Sequence, residues 1–295
     1  MLRYRKIYYA LSGFLVIASI ISLAVLGLNL GVDFKGGSIM ELVSLGPPPS
    51  HETIRSLLSE FALGEVTVQD SGDANLILRF KNVDEAVHQS VLSKLKALSK
   101  FEEVRFESIG PVIGSETKQK SLWAVFLVVI MVLVYVAWAF RRISFPLRSW
   151  KYGVVAIIAL FHDIVITMGV FALVGHFLNL EIGVPFVAAL LTILGYSVND
   201  TIIVFDRIRE NVMRQGSVFD FAQVINDSFS QVYIRSLNTS ISTLLVLVAI
   251  FLFGGATLKY FVLTLIIGIS IGTYSSIFLA SPLLFSWSML RIRKR

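Results

Sequence analysis

The sequence predicts a polytopic α-helical membrane protein of six spans that carries one small α+β domain outside the bilayer. Three observations predict it. Mean hydropathy is +0.76 and 55% of residues are hydrophobic, above what a soluble domain shows. Six runs approach the ~20 apolar residues that a bilayer crossing needs. Between the first two runs lies a polar stretch of roughly 90 residues with alternation and turn signals, a size that suits a domain better than a loop.

The apolar runs fall at 7–28, 122–140, 152–175, 184–205, 236–253 and 258–290. The last exceeds one bilayer thickness and is expected to tilt, protrude or include surface helix. The first has a basic start, and Ser22-Leu23-Ala24 has a faint likeness to a cleavage site. Its apolar part of about 22 residues is too long for a cleaved leader, so it reads as a span. The domain reading is therefore a first span at 1–28, an exported domain at 29–120 and five further spans at 121–295. Between the fourth and fifth spans, 217–234 is amphipathic, with Val218, Phe221, Ala222, Ile225 and Phe229 at helical spacing. That segment predicts a helix lying on the cytoplasmic surface.

Charge sets the orientation. Arg3, Arg5 and Lys6 precede the first span; Arg141, Arg142, Arg148 and Lys151 separate the second and third. Arg207, Arg209 and Arg214 follow the fourth, and Arg291, Arg293, Lys294 and Arg295 end the sequence. With six spans all four clusters share one side, which the positive-inside rule makes the cytoplasm, with both termini there. The formal charge of +6 thus comes from these rims, since residues 29–120 hold 10 basic and 13 acidic side chains. Nucleic-acid binding is a poor explanation of it. There is no cysteine, so neither a disulfide nor thiol chemistry is available.

Within the exported stretch, 38–45 reads as a strand, Pro47-Pro48-Pro49 breaks it, and Ser50 caps a helix running to about 61. Strands at 65–69 and 75–80 flank the turn Asp70-Ser71-Gly72-Asp73. Val87, Val91, Leu92, Leu95 and Leu98 form a helical stripe over 84–99, and 101–109 alternates again. The order β-α-β-β-α-β is the split βαβ of a ferredoxin-like fold. His51 and His88 stand alone in the sequence, so this is a binding or lever domain rather than a catalytic one. Gly31-Val32-Asp33-Phe34-Lys35-Gly36-Gly37 leaves the first span and Gly110-Pro111-Val112-Ile113-Gly114 enters the second; both read as tight turns or hinges.

Three spans hold polar groups that apolar packing does not need. The third has His162-Asp163 with Thr167 one turn on, and the fourth has Gly195-Tyr196-Ser197-Val198-Asn199-Asp200-Thr201. The fifth begins at Arg235, with Thr239 and Ser242 on the same helical face. A carboxylate at membrane depth costs on the order of 2.5–3.5 kcal/mol on insertion scales, so it usually faces other helices along an ion or proton path. Asp200 lies roughly 10 Å above the Arg207 rim, and Arg235 enters from that rim. A pair that closes and opens between them can take up and release a proton. The bland reading is a static buried ion pair, or polar contacts that glue helices together. An intramembrane aspartyl protease is disfavoured because Ser197, Val198 and Asn199 precede Asp200 where Gly-x-Gly is needed. No phosphate-cradling loop, metal-ligand cluster or nucleophile–base arrangement is visible. Gly268 and Gly272 in the last span read as close-packing positions.

These motifs resemble the SecD/SecF family of Sec accessory proteins, in its SecF form. The likeness is carried by Gly31 to Gly37, residues 108–114, Ala159-Leu160-Phe161-His162-Asp163, residues 195–211, 235–240 and 268–284. It implies half of a transporter of the resistance–nodulation–division type, completed to twelve spans by SecD in the bacterial inner membrane. It also implies the SecYEG translocon, YajC, the translocating preprotein and lipid as partners, with protons as coupling ion and no other cofactor. In this reading proton flow helps to pull or hold emerging preproteins, and the chain is not an enzyme. Asp200 and Arg235 match the family's proton-relay positions, and the implied relay also takes in Asn199 beside them and His162 and Asp163, which match a further family motif. The alternative is a subunit of a small-molecule or lipid exporter on the same scaffold, which would carry larger exported domains. A passive scaffold would tolerate loss of the membrane aspartates.

Overall fold

The computed structural model describes residues 2–70, 75–141, 149–215 and 220–292. In chain order the helices are α1 (Arg5–Val25), α2 (Val32–Lys35), α3 (His51–Leu58), α4 (Glu85–Leu98), α5 (Pro111–Ala139), α6 (Ser149–Leu178), α7 (Val184–Gln215), α8 (Phe221–Phe253), α9 (Ala256–Ser275) and α10 (Ser281–Ile292). The strands are β1 (Gly37–Ser44), β2 (Thr67–Asp70), β3 (Asn75–Phe80) and β4 (Phe101–Ile109). The chain divides into two compact units. One contains Met1–Asn29, Trp123–Leu180 and Pro185–Arg295; the other contains Leu30–Leu122 and Glu181–Val184. The expected turn at 71–73, the start of the amphipathic segment at 217–219, and Arg142, Arg148 and the basic residues 293–295 lie outside the described residues.

Among the described residues six helices are long and apolar enough to cross a membrane, so the chain is a multi-pass membrane protein. They are not equally enclosed. Buried shares of 56%, 50% and 61% for the third, fourth and sixth spans contrast with 17%, 6% and 17% for the first, second and fifth. The central three therefore carry the interior, and they are best placed to shelter polar groups from lipid. At one end of this interior Phe140 stacks on Tyr152 at 5.3 Å, and Phe205 meets both rings edge-on.

Span boundaries differ from the sequence expectation for identifiable reasons. Helix α5 starts at Pro111, because a first-turn proline needs no N–H partner and already has helical φ. Helix α7 runs on to Gln215, past the apolar run, supported by ion pairs Arg207–Glu210, Arg209–Asp206 and Arg214–Glu210 one turn apart. The expected separate surface helix is corrected: from Phe221 onward the amphipathic segment and the fifth span form one helix, α8, capped by Asp220 through the Ala222 N–H. No proline or glycine interrupts 221–253, so nothing ends the helix between them. The last span continues from α9 through a widened π-helical turn at Ser276–Ala280 into α10. Pro282 lacks the N–H that would bond one turn back, and the widened turn accommodates the lost bond.

The other unit holds a four-stranded antiparallel sheet in the order β2-β3-β1-β4. Residues of β1 and β3 alternate in burial, so Met40, Leu42, Leu76, Leu78 and Phe80 line one face. Ile54 and Leu58 of α3 and Val91 and Leu95 of α4 cover that face. Both helices start as their sequence dictates: Ser50 accepts from the Thr53 N–H and Asp84 from the Val87 N–H. Neither histidine stands alone. His51 pairs with Asp70 at 2.9 Å, and His88 sits between Glu103 at 2.7 Å and Glu85 at 3.1 Å, its ring stacked on Phe106.

Candidate functional site: a polar centre among the membrane helices

The largely apolar helices α6, α7, α8 and α9 leave a few hydroxyls and carboxylates on buried faces, and these meet. Asp163 of α6 is 1% exposed and has hydrogen-bond partners at both oxygens. Its Oδ1 lies 2.9 Å from His162 Nδ1; its Oδ2 accepts from Ser197 Oγ of α7 at 2.6 Å and from Ser275 Oγ of α9 at 2.8 Å. Beside it, Thr201 Oγ1 and Ser276 Oγ are 3.0 Å apart, and Ser276 also donates to the Ser197 carbonyl. Toward α8, Thr273 Oγ1 donates to Ser240 Oγ at 2.7 Å, and the Tyr196 hydroxyl reaches the same oxygen at 3.3 Å.

Close approach of α9 to α7 makes this possible. A Cβ built on Gly268 would run into the Ile193 side chain, and one on Gly272 would lie 3.1 Å from Ser197 Cβ. These glycines pack on a neighbouring helix of the same chain, as small residues do in membrane bundles.

Asp200 of α7 has a different setting. Ser236 Oγ of α8 donates to its Oδ1 at 2.5 Å, while its Oδ2 is buried without a hydrogen-bond partner. The Nε2 of buried His162 is likewise bare, with the Tyr274 ring 6.1 Å from its own. Among the described residues no three His, Asp or Glu side chains converge as a metal-ligand set.

Two sequence expectations change here. Arg235 does not face Asp200: it is exposed on α8, as are Thr239 and Ser242. Asn199 is exposed too, apart from the buried carboxylate that follows it. The buried polar face of α8 is instead Ser228, Ser236 and Ser240. The inward face lies one residue on from the expected stripe, because Ser236 beside a charged neighbour carries no signal of its own. Ser275 and Ser276 stand in the sequence as a pair that reads as packing positions, and the structure makes both of them partners of the polar centre.

The junction glycines are also brought together, within the unit that holds the sheet. Gly36 has φ of 77°, and a Cβ there would fall 2.7 Å from Pro111 Cα; one on Gly114 would fall 2.7 Å from the Gly36 nitrogen. Phe34, also within reach of that Gly114 position, is buried. The two exits therefore close on each other rather than standing as separate turns. The Gly31 N–H donates to the Ile182 carbonyl at 2.8 Å, and the Val184 N–H donates to Asp33 Oδ2 at 2.8 Å.

A multi-pass helical bundle with a buried carboxylate-centred polar cluster, and a small sheet domain between its first two spans in sequence, defines the class of polytopic membrane protein to which the chain belongs. The family model for the C-terminal region of protein export membrane proteins SecD/SecF matches residues 89–290, and that for the SecD/SecF GG motif matches residues 21–43. The chain belongs to the SecD/SecF family. It is 40% identical to the protein translocase subunit SecF of Thermobaculum terrenum, over 99% of this chain and 96% of that one. It is also 40% identical to the same subunit of Sebaldella termitidis, over 97% and 90%. The crystal structure of SecDF, a translocon-associated membrane protein from Thermus thermophilus, superposes with a TM-score of 0.83 at 32% identity. That match covers 97% of this chain but 38% of the SecDF chain, so the present sequence spans little more than a third of it.

Proposed function

We propose that this chain is an accessory subunit of the Sec protein-export machinery. It works with SecD beside the SecYEG translocon, with YajC, and uses the proton gradient to complete preprotein translocation. The single observation that carries the coupling role is the bare Oδ2 of Asp200. At membrane depth such an oxygen is a place where a proton binds or leaves without breaking an existing hydrogen bond. Asp163, with both oxygens occupied, supports the site, and His162 Nε2 is a second open position beside it.

Arg235 enters this scheme through the geometry of α8. It adjoins Ser236, the residue that holds Asp200. One residue corresponds to a turn of about 100° around a helix, so a rotation of that size would exchange the hydroxyl for the guanidinium. Loss of the proton from Asp200 favours the charged partner, and its return favours the hydroxyl. Asn199, the further residue of the proposed relay, is exposed on α7. The basic rims support an orientation with both termini in the cytoplasm, and the Sec reading a bacterial inner membrane.

The test is Asp200→Asn in the presence of SecD. The variant keeps size and can still accept from Ser236, so it should insert and accumulate. Preprotein release from vesicles should lose its response to a proton gradient. A full response in the variant would show that Asp200 is not the coupling group.

A further inference from the structure

We infer that Asp33 is a positioning residue that holds the first turn of the Asp200-bearing helix to the exported domain, so that movement of one is delivered to the other. This rests on the coupling role proposed for Asp200.

Helix α7 begins with an unmet need. The first turn of any helix leaves backbone N–H groups without intrahelical partners, and the residue before it usually supplies a side-chain acceptor. Before α7 that residue is Gly183, which has no side chain, and Pro185 in the first turn has no N–H. The acceptor comes instead from Asp33, 151 positions away, whose Oδ2 takes the Val184 N–H at 2.8 Å. A carboxylate there also suits the positive end of the helix dipole.

Two further contacts hold the same short segment. Leu30 and Ile182 form a parallel bridge, with the Gly31 N–H donating to the Ile182 carbonyl, and Arg79 Nε lies 3.1 Å from Glu181 Oε2. Residues Glu181–Val184 accordingly group with the sheet unit, although α7 from Pro185 onward groups with the other. Asp33 itself is firmly placed. It sits in the one-turn helix α2, which ends at Gly36 against Pro111, and β1, an inner strand of the sheet, starts at Gly37. From Val184 to Asp200 is roughly 24 Å of continuous helix. A rotation or shift of α7 is thereby passed to Asp33, and from Asp33 directly into an inner strand.

The experiment compares Asp33→Ala, Asp33→Asn, and Asp33→Ala combined with Gly183→Ser, each in the full-length chain with SecD. Amide exchange at Val184 should speed about five- to tenfold in Asp33→Ala, the factor that loss of such a cap carries. Gradient-stimulated preprotein release should fall to the level seen without a gradient. Asp33→Asn still accepts the hydrogen bond and should keep both. The double variant is the decisive arm: Gly183→Ser gives α7 a cap of its own through the Phe186 N–H, so exchange at Phe186 should slow relative to Asp33→Ala while the gradient response stays lost. Recovery of that response would reduce Asp33 to an ordinary helix cap and overturn the proposal. Unchanged exchange in Asp33→Ala, a normal response in that variant, or failure of Asp33→Asn would each overturn it as well. Should Asp33→Ala not accumulate, the double variant reads the same question. If Asp200→Asn keeps its gradient response, the coupling reading fails first, and the exchange measurements still report on the cap.

Discussion

Two aspartates lie buried in the same helix bundle, and their oxygens are filled differently. Asp163 is saturated: one histidine nitrogen and two serine hydroxyls occupy its oxygens. Asp200 has one short bond to Ser236 and one empty oxygen. A buried carboxylate whose acceptors are filled gains from staying as it is, whereas one left half-filled has a second arrangement available. In the proposed function, the difference separates a filled hub from the group that exchanges a proton.

The largest expected effect falls on the hub. Asp163→Ala strands the Ser197 hydroxyl and the His162 Nδ1 inside the bundle and leaves Ser275 only the Gly272 carbonyl, and removing one member of such a network costs roughly 3–5 kcal/mol. The variant should accumulate poorly and lose its thermal transition in detergent, unlike Asp200→Asn. Equal stability of the two variants would erase the contrast between these sites.

A smaller effect is expected at the half-filled site. Ser236→Ala leaves Asp200 Oδ1 as bare as Oδ2, at a cost of about 1–3 kcal/mol for an unsatisfied buried group. The thermal midpoint should fall measurably, while amide exchange of α6 around Asp163 stays as slow as in the parent chain. If Ser236→Ala also speeds exchange there, the two aspartates belong to one network and not two.

The smallest effect lies outside the membrane segments. Burial raises the pKa of Glu181 above the ordinary glutamate value, against the pull of Arg79 and Lys35 and with the charge of Asp33 adding to the rise. Its folded-state value exceeds its unfolded one, so the stability it contributes is present at acid pH and is lost as pH rises through the raised value. Glu181→Gln should flatten that part of the pH profile of amide exchange in β3. A profile of unchanged slope would place the titration elsewhere.

Much of this was legible beforehand. Long apolar runs must be helices in a bilayer, since a helix satisfies its own backbone there, and so six spans follow from the sequence. Ser50 announces its helix because a capping side chain acts on a residue three positions away. His162, Asp163 and Asp200 stand out because a titratable group in an apolar run is costly. The strand order β2-β3-β1-β4 and the continuity of α8 are another matter. The first depends on pairing across long sequence separations, and the second on the lack of any breaker in an ambiguous polar stretch.

What the sequence determined by itself is therefore the inventory: six spans, a small sheet domain, basic rims and a handful of polar residues at membrane depth. These are local properties, set by hydropathy, periodicity and the chemistry of neighbours in the chain. Tertiary structure alone decided which of them meet. It turned Arg235 outward and Ser236 inward, a choice of about 100° on one helix that periodicity in a largely apolar run does not fix. It filled one oxygen of Asp163 from residues 34 and 112 positions away, and left one oxygen of Asp200 open. And it gave α7 a cap from Asp33, because Gly183 offers none and a side chain far along the chain was held at the right place to supply it.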